Sequence, residues 1–325
     1  MFLDAAARLD RPPAMWFYTD GGRVVGETGA IPVRLKVGRE VRDAAWLVDS
    51  MVLKPYRDQA VGTRILHRAM RDQPLALSLG QEAYMREIEL KMGWQRVVRI
   101  AHYVYPLRSS RLLRGKVPAG PLAWTAAGIL GTAARLRRAL PSRAPAWTPE
   151  LHTIEHFGPA HDELWSRVQF AIGCCVVRDA SYLNWKYVDR QGSDFQLLEL
   201  RRQDELVAVA VVALREADAD YRYRRGFLVD LVVSPQERDV VWVLLSALRE
   251  YFHDAGADAI HTYMASPALE SQLRSFGFIE REAAKHLLVA AHGQDEVDAL
   301  ARIDSWLCTL GDSDLDSAVV VPRRA

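Results

Sequence analysis

Cysteine is scarce in this sequence. There are three in 325 residues, and two of them, Cys174 and Cys175, are adjacent. That spacing excludes a disulfide framework and a C-x-x-C metal pair, so a reducing compartment is the simpler expectation. Net charge is scarce as well: a formal value of +1 gives no general pull toward nucleic acid, and no nucleic-acid partner is expected. Long apolar runs are missing. Met1 to Pro13 has no core of signal-peptide length, which argues for a cytoplasmic protein. Leu122 to Ala134 is shorter than the roughly 20 residues that span a bilayer, so no transmembrane segment is expected. The whole chain, 50% hydrophobic and 26% charged, is ordinary for a globular protein and long enough for two domains.

The most informative stretch runs from Val52 to Leu66. Val48 to Val52 is an apolar run broken by Asp49 and Ser50, Pro55 rules out a continuing central strand, and Ile65, Leu66, Ala69 and Met70 fall at helical spacing. It therefore reads as a strand end, a tight turn and a helix start. Unpaired N–H groups at such a start, with the positive end of the helix dipole, favour an anion such as a pyrophosphate. Small residues at Ala60 and Gly62 let that anion approach the backbone. The stretch resembles the acyl-CoA signature Q/R-x-x-G-x-G/A of the GNAT superfamily of N-acyltransferases, with Arg57, Ala60 and Gly62 at its defining positions. Ala60 stands where the first glycine is expected; if that position needs a positive φ, alanine is strained there. The resemblance implies acetyl-CoA or another acyl-CoA as co-substrate and no metal. It places the CoA on Met51, Val52, Leu53, Arg57, Asp58, Gln59, Ala60, Val61, Gly62 and Thr63.

The family sets this motif after a strand pair, then follows its helix with a buried strand, another helix and a Gly-aromatic pair before the next strand. Here Met15 to Tyr18 and Arg23 to Leu35 read as strands around an Asp20-Gly21-Gly22 turn, and Ala44 to Val52 as the strand feeding the motif. Leu75 to Leu79, a helix from Gln81 to Met92, Gly93-Trp94 and a strand from Arg96 to Tyr105 follow in the family order. A complete domain of this family also opens with a strand and one or two helices that wall the acceptor site. Only about fourteen residues precede Met15, so that wall comes from elsewhere or is absent.

Residues 108–149 break the composition. Leu122 to Leu140 reads as one helix with Arg135, Arg137 and Arg138 near its end, set between Pro118-Ala119-Gly120-Pro121 and Pro141, Pro145 and Pro149. Two readings stay open: a helix packed across two domains, or an interfacial helix giving a peripheral membrane contact through residues 122–138. From about Glu150 the outline repeats, with a helix from Asp162, strands at Phe195 to Arg201, Glu205 to Leu214 and Phe227 to Val233, and a helix from Val240 to His253. The strand Ala259 to Met264, the helix Ala268 to Ser275, Gly277-Phe278 and the strand Lys285 to Ala291 complete it. Asp230 precedes Val233 as Asp49 precedes Val52, but Val241 and Val243 stand where the first copy has Ala60 and Gly62. Branched side chains there are expected to crowd a pyrophosphate. The expected fold is α/β: GNAT-like units over 1–107 and 150–325, each a twisted mixed sheet flanked by helices, joined by the 108–149 linker, with only the first loaded.

Arg178 to Tyr187 is the densest cluster of aromatic and polar residues. Its Tyr182-Leu183-Asn184-Trp185-Lys186-Tyr187 run resembles a segment of tandem GNAT-like bacterial proteins. It reads either as a core plug with Asn184 and Lys186 facing outward, or as an acceptor pocket anchored by Arg178 and Asn184 beside Trp185. His152, His156 and His161 lack the context of a metal site. Asp312, Asp314 and Asp316 imitate a calcium loop but lack its glycine and glutamate, so a solvated acidic tail is expected.

Acyl transfer to an amine needs a base for the amine, a polarised carbonyl and a proton for the thiolate. The resemblance points to Asp49, on the strand before the motif, as base. The carbonyl would then be polarised by a backbone N–H near Met51 to Leu53. The family's Y-x-K-x-G-F tyrosine is replaced by Glu89, and Tyr84 is the substitute donor on the same helix. Two functions stay open. One is an acyl-CoA-dependent N-acyltransferase, transferring acetyl to an amine of a small metabolite or amino sugar. The other is a catalytically degenerate GNAT-like protein serving as a ligand-binding or interaction module. Asp230 is a further substrate-site candidate as the counterpart of Asp49.

Overall fold

The computed structural model describes residues 2–108, 145–190 and 194–318, and the helix expected over 122–140 lies outside them. A short helix α1 (Phe2–Arg8) precedes the hairpin of β1 (Ala14–Asp20) and β2 (Arg23–Val37). Gly21 and Gly22 turn that hairpin with φ of 54° and 81°, the left-handed pair that a two-residue loop requires. Next come β3 (Glu40–Val52), α2 (Val61–Asp72), β4 (Leu75–Leu79), α3 (Ala83–Lys91) and β5 (Gln95–Pro106). The second half brings β6 (Glu150–Ile154), α4 (Pro159–Val168), β7 (Cys174–Val176), α5 (Ala180–Leu183), β8 (Gln196–Arg202), β9 (Glu205–Arg215) and β10 (Arg225–Val232). It closes with α6 (Arg238–Asp254), β11 (Ala259–Ala265), α7 (Pro267–Phe276), β12 (Ile279–Ala291), α8 (Gln294–Ala301) and β13 (Cys308–Thr309).

The described strands form one mixed sheet flanked by helices, in the order β1-β2-β3-β4-β12-β5-β11-β10-β9-β8-β6. Strands β4 and β10 are buried along their whole length, as strands covered on both faces must be, and are mostly apolar, broken by Ser78 in β4 and by Arg225 and Asp230 in β10. Helix α2 buries Val61, Ile65, Leu66 and Ala69, an i, i+4 stripe, against one face of the first half. Trp46, Leu77 and Ile100 belong to the larger core, which continues into the second half.

The halves are interleaved. β12 lies between β4 and β5, and β5 lies between β12 and β11. Read inward from either end, β2-β3-β4-β12 and β9-β10-β11-β5 repeat the same pairing: antiparallel, parallel, antiparallel. Each half thus lends its last long strand to the other, and the two share one sheet.

In both halves the parallel pair parts. The β3–β4 register stops at Trp46↔Leu77 while β3 runs on to Val52, and the β10–β11 register stops at Leu228↔Thr262 while β10 runs on to Val232. A bulge adds one residue to β3 beyond Val48 and one to β10 beyond Leu228. The second gap is filled from within. Thr309 and Cys308 pair with Met264 and Ala265 of β11, and the Gly311 N–H donates to the Val229 carbonyl at 2.9 Å.

Candidate functional site

The first gap opens into a cavity of about 500 Å³, lined on its near side by Val48, Asp49 and Ser50 of β3 and by Ser78 and Leu79 of β4. Strand geometry makes this a passage through the sheet. Ser78 and Leu79 pair with Leu288 and Leu287, so they point to opposite faces, and Lys285, two residues from Leu287, shares the face of Leu79. Both Ser78 and Lys285 line the cavity.

Asp49 sits at the bulge with φ of 53°, a left-handed conformation that aspartate tolerates better than most residues. Thr28 holds the bulge: its Oγ1 donates to the Val48 carbonyl at 3.2 Å and lies 2.7 Å from Ser50 Oγ. The Asp49 side chain is exposed on the cavity wall, and partial burial, then the nearby Asp314 carboxylate, raise its pKa above the usual carboxylate value.

Beyond the gap, a 3₁₀ turn over Lys54–Gln59 ends at Ala60, whose φ of 57° and ψ of 20° are left-handed. Position 60 therefore demands the conformation for which glycine is favoured, and alanine is held there at a cost of about 1–2 kcal/mol. Helix α2 starts at the next residue with no side-chain cap, so the N–H groups of Val61, Gly62 and Thr63 have no intrahelical acceptor. Asp58, Gln59 and Thr63 are exposed around them. Arg57 Nε donates to the Val52 carbonyl at 3.1 Å, tying the turn to the end of β3, and the Leu53 N–H donates to the Val25 carbonyl at 2.9 Å. Leu53 therefore has no N–H left for a ligand. Met51 is exposed and Val52 half-buried along the strand end.

The far wall of the cavity belongs to the second half. Phe227 and Arg225 of β10, His261 and Tyr263 of β11 and Lys285 of β12 stand there with His102 of β5. This part of the lining is distant in sequence from β3 and β4, apart from His102. His102 stacks on Tyr263 with ring centroids 4.4 Å apart, and its Nε2 lies 3.0 Å from His261 Nδ1. Burial lowers both histidines, to about 4 and about 3, so the pair is neutral at pH 7.

Glu89 of α3 reaches the cavity from the opposite face. It is 3% exposed, and its Oε1 accepts from Ser78 Oγ at 2.7 Å, which in turn accepts from Gln81 Nε2 at 2.7 Å. Its Oε2 has no partner. Burial pushes its pKa up to about 7, against the opposing bonds from Ser78 and Gln81. Sequence reasoning treated Glu89 only as the loss of a tyrosine; the signal that marked it was its place in the motif. Tyr84 is 64% exposed and does not line the cavity.

The residues singled out in the second half lie elsewhere. Arg178 and Asp230 are buried and paired, Nε to Oδ1 at 3.0 Å, and Arg178 Nη2 reaches Asp312 Oδ2 at 2.7 Å. Asn184 bonds the Phe157 N–H at 2.9 Å and its carbonyl at 2.8 Å, while Tyr182, Trp185 and Tyr187 pack in the core. Lys186, expected to face outward, is buried against Asp316 at 3.3 Å, because the tail folds over it. The tail expected to be solvated is likewise buried at Asp312 and Asp316, whose charges meet Arg178, Lys186 and Arg190. Val241 and Val243 point into the core. What closes the second gap is the segment around Thr309–Gly311, not valine side chains. A Cβ on Gly311 would collide with Tyr187 Oη and crowd Asp230, which is why glycine stands there.

No protein-family model matches the chain, and no curated protein does. Solved structures do match. A GCN5-related N-acetyltransferase from Anabaena variabilis superposes with a TM-score of 0.59 at 12% identity, over 85% of this chain and 62% of that one. A probable N-acyltransferase of unknown function from Enterococcus faecalis gives 0.58 at 9% identity, over 88% of this chain and 63% of the other. N-myristoyltransferase of Saccharomyces cerevisiae with bound myristoyl-CoA gives 0.54 at 13% identity, over 83% and 67%. This chain therefore spans less than two thirds of the length of the Anabaena and Enterococcus proteins. The strand order, the parallel pair that parts beside Asp49 and these likenesses together give the chain a GNAT-type fold.

Proposed function

We propose that the chain is an acyl-CoA-dependent N-acyltransferase, acting on an amine of a small molecule and using acetyl-CoA or another acyl-CoA. The observation that carries this reading is the contrast between the two gaps: one is closed by the chain itself, and the other opens to a cavity beside a helix start with free N–H groups. The residues fit the co-substrate. The N–H groups of Val61, Gly62 and Thr63 would take the pyrophosphate, Arg57 would lie beside it, and the space between β3 and β4 would take the pantetheine arm. Bound there, acyl-CoA supplies an activated thioester. Asp49 then removes the amine's proton as the C–N bond forms, and Glu89 gives a proton from Oε2 to the departing sulfur as the C–S bond breaks. Transfer of a proton from Asp49 back to Glu89 through the cavity restores both. Glu89 thus takes the part expected of Tyr84.

Calorimetry with acetyl-CoA and with a longer acyl-CoA tests the reading. Micromolar binding that Gly62→Val removes is the expected result. Absence of binding by the native chain would instead favour a relic of the fold with another ligand, a view to which the left-handed Ala60 lends weight.

A further inference from the structure

The cavity carries charges of both signs. Three acidic side chains, Asp49, Glu89 and Asp314, and two basic ones, Arg225 and Lys285, line it together. Arg225 is 6% exposed, lies 4.0 Å over the Tyr221 ring and gives Nη2 to Asp218, yet its Nε is buried without a partner. Lys285 is half-buried, with its ammonium 6.0 Å from the Tyr263 ring centre. It stands at the end of β4, where a Cβ on Gly80 would lie 3.5 Å from its Nζ. Among the described side chains no carboxylate is within ion-pairing distance of Lys285. The Lys285 ammonium, half-exposed on the cavity lining, can meet a ligand that brings negative charge, and the Arg225 guanidinium adds positive potential to the same lining. Flat, uncharged surfaces, the neutral His102 and His261 and the ring of Tyr263, line the cavity with them.

We propose that the acceptor is a carboxylate-bearing amine, an amino acid or a molecule ending in one. Its carboxylate meets Lys285, and its amine faces Asp49. This rests on the acyl-transfer reading for the fate of the amine, but not for the binding of the carboxylate. A single ammonium with no carboxylate partner balances one negative charge. A phosphate dianion would ask for more donors than this lining offers. With the carboxylate end fixed at Lys285, the amine end is free to reach Asp49, which deprotonates it.

The test uses the full chain and a panel of L-amino acids against the matching L-amino acid amides, which differ only in the charge of one end. Calorimetry without acyl-CoA reads binding alone. Some acids should bind at least about tenfold more tightly than their amides, and Lys285→Met, which keeps the stem against Tyr263, should weaken the acids by about tenfold or more and the amides not at all. Lys285→Arg should restore much of the difference. Thiol release from acetyl-CoA then reads turnover: the same acids should show the same order in kcat/KM, with KM for acetyl-CoA unmoved by Lys285→Met. Equal binding of acids and amides, equal loss of both in Lys285→Met, or preference for aminoalkyl phosphates would each overturn the assignment. Tight binding of acids with no binding of acetyl-CoA would leave the assignment standing and sink the acyltransferase reading.

Discussion

Arg178 holds Asp230 in a buried ion pair, Nε to Oδ1 at 3.0 Å and to Oδ2 at 3.2 Å, at the position in the second half where Asp49 stands exposed in the first. Both carboxylates sit at the bulge of a strand that parts from its parallel neighbour. Tyr187 Oη donates to Asp230 Oδ2 at 2.8 Å, Thr309 Oγ1 donates to its Oδ1 at 2.9 Å, and the whole group clamps the chain that fills the second gap. Removing one member of a buried pair leaves an uncompensated charge, so Asp230→Asn should lower stability by on the order of 3 kcal/mol. Urea unfolding should show a lower midpoint with an unchanged slope, and acetyl-CoA affinity of the folded variant should not move. A loss of affinity at unchanged stability would mean that Asp230 meets a ligand.

For Asp49 the expectation is reversed. Asp49→Asn keeps the shape and removes the basicity, so stability and acetyl-CoA affinity should stay near native while turnover falls by roughly 10²–10⁴. The raised pKa of Asp49 places the acid limb of the native pH–rate profile above the ordinary carboxylate range, and the variant should lose that limb. Native turnover in Asp49→Asn would reduce Asp49 to a strand-end carboxylate.

Glu89 gives a stability prediction that needs no substrate. Its pKa of about 7 in the folded chain lies above the ordinary 4.5, so the folded state holds its proton more tightly than the unfolded state does. The resulting stabilisation is complete below about pH 4.5 and is lost as pH rises to about 7. Glu89→Gln carries no such proton. Between about pH 5 and pH 8 the native chain should therefore lose stability relative to the variant, by on the order of 3 kcal/mol across the whole window. Parallel unfolding curves at the two pH values would show that Oε2 is solvated. If Glu89 also serves as the acid, native turnover should fall as pH passes about 7, with Glu89→Gln slow throughout.

Local rules carried far in this chain. Leu75 to Leu79 is a strand with the expected bounds, because a short apolar run between a helix and a glycine has few alternatives. The strain foreseen at Ala60 is present, since a turn that reverses strand into helix within so few residues needs one left-handed step. The cavity's far wall was not legible. Lys285 reaches the mouth of β4 only because β12 is inserted between β4 and β5, a pairing across some two hundred residues that no local pattern encodes. The tail was misread for the same reason: a run of aspartates looks solvated until Arg178 and Lys186 are found facing it.

The insertion of β12 also orders events during synthesis. The facing edges of β4 and β5 are complete once residue 106 has left the ribosome, yet the strand that joins them ends at Ala291. Until then two strands with free backbone groups wait side by side, a template for pairing with other chains. Closure over such a span is slow, since loop-closure entropy must be met before the contacts form. Transiently unpaired strand edges of this kind are where aggregation-prone folding intermediates arise in general.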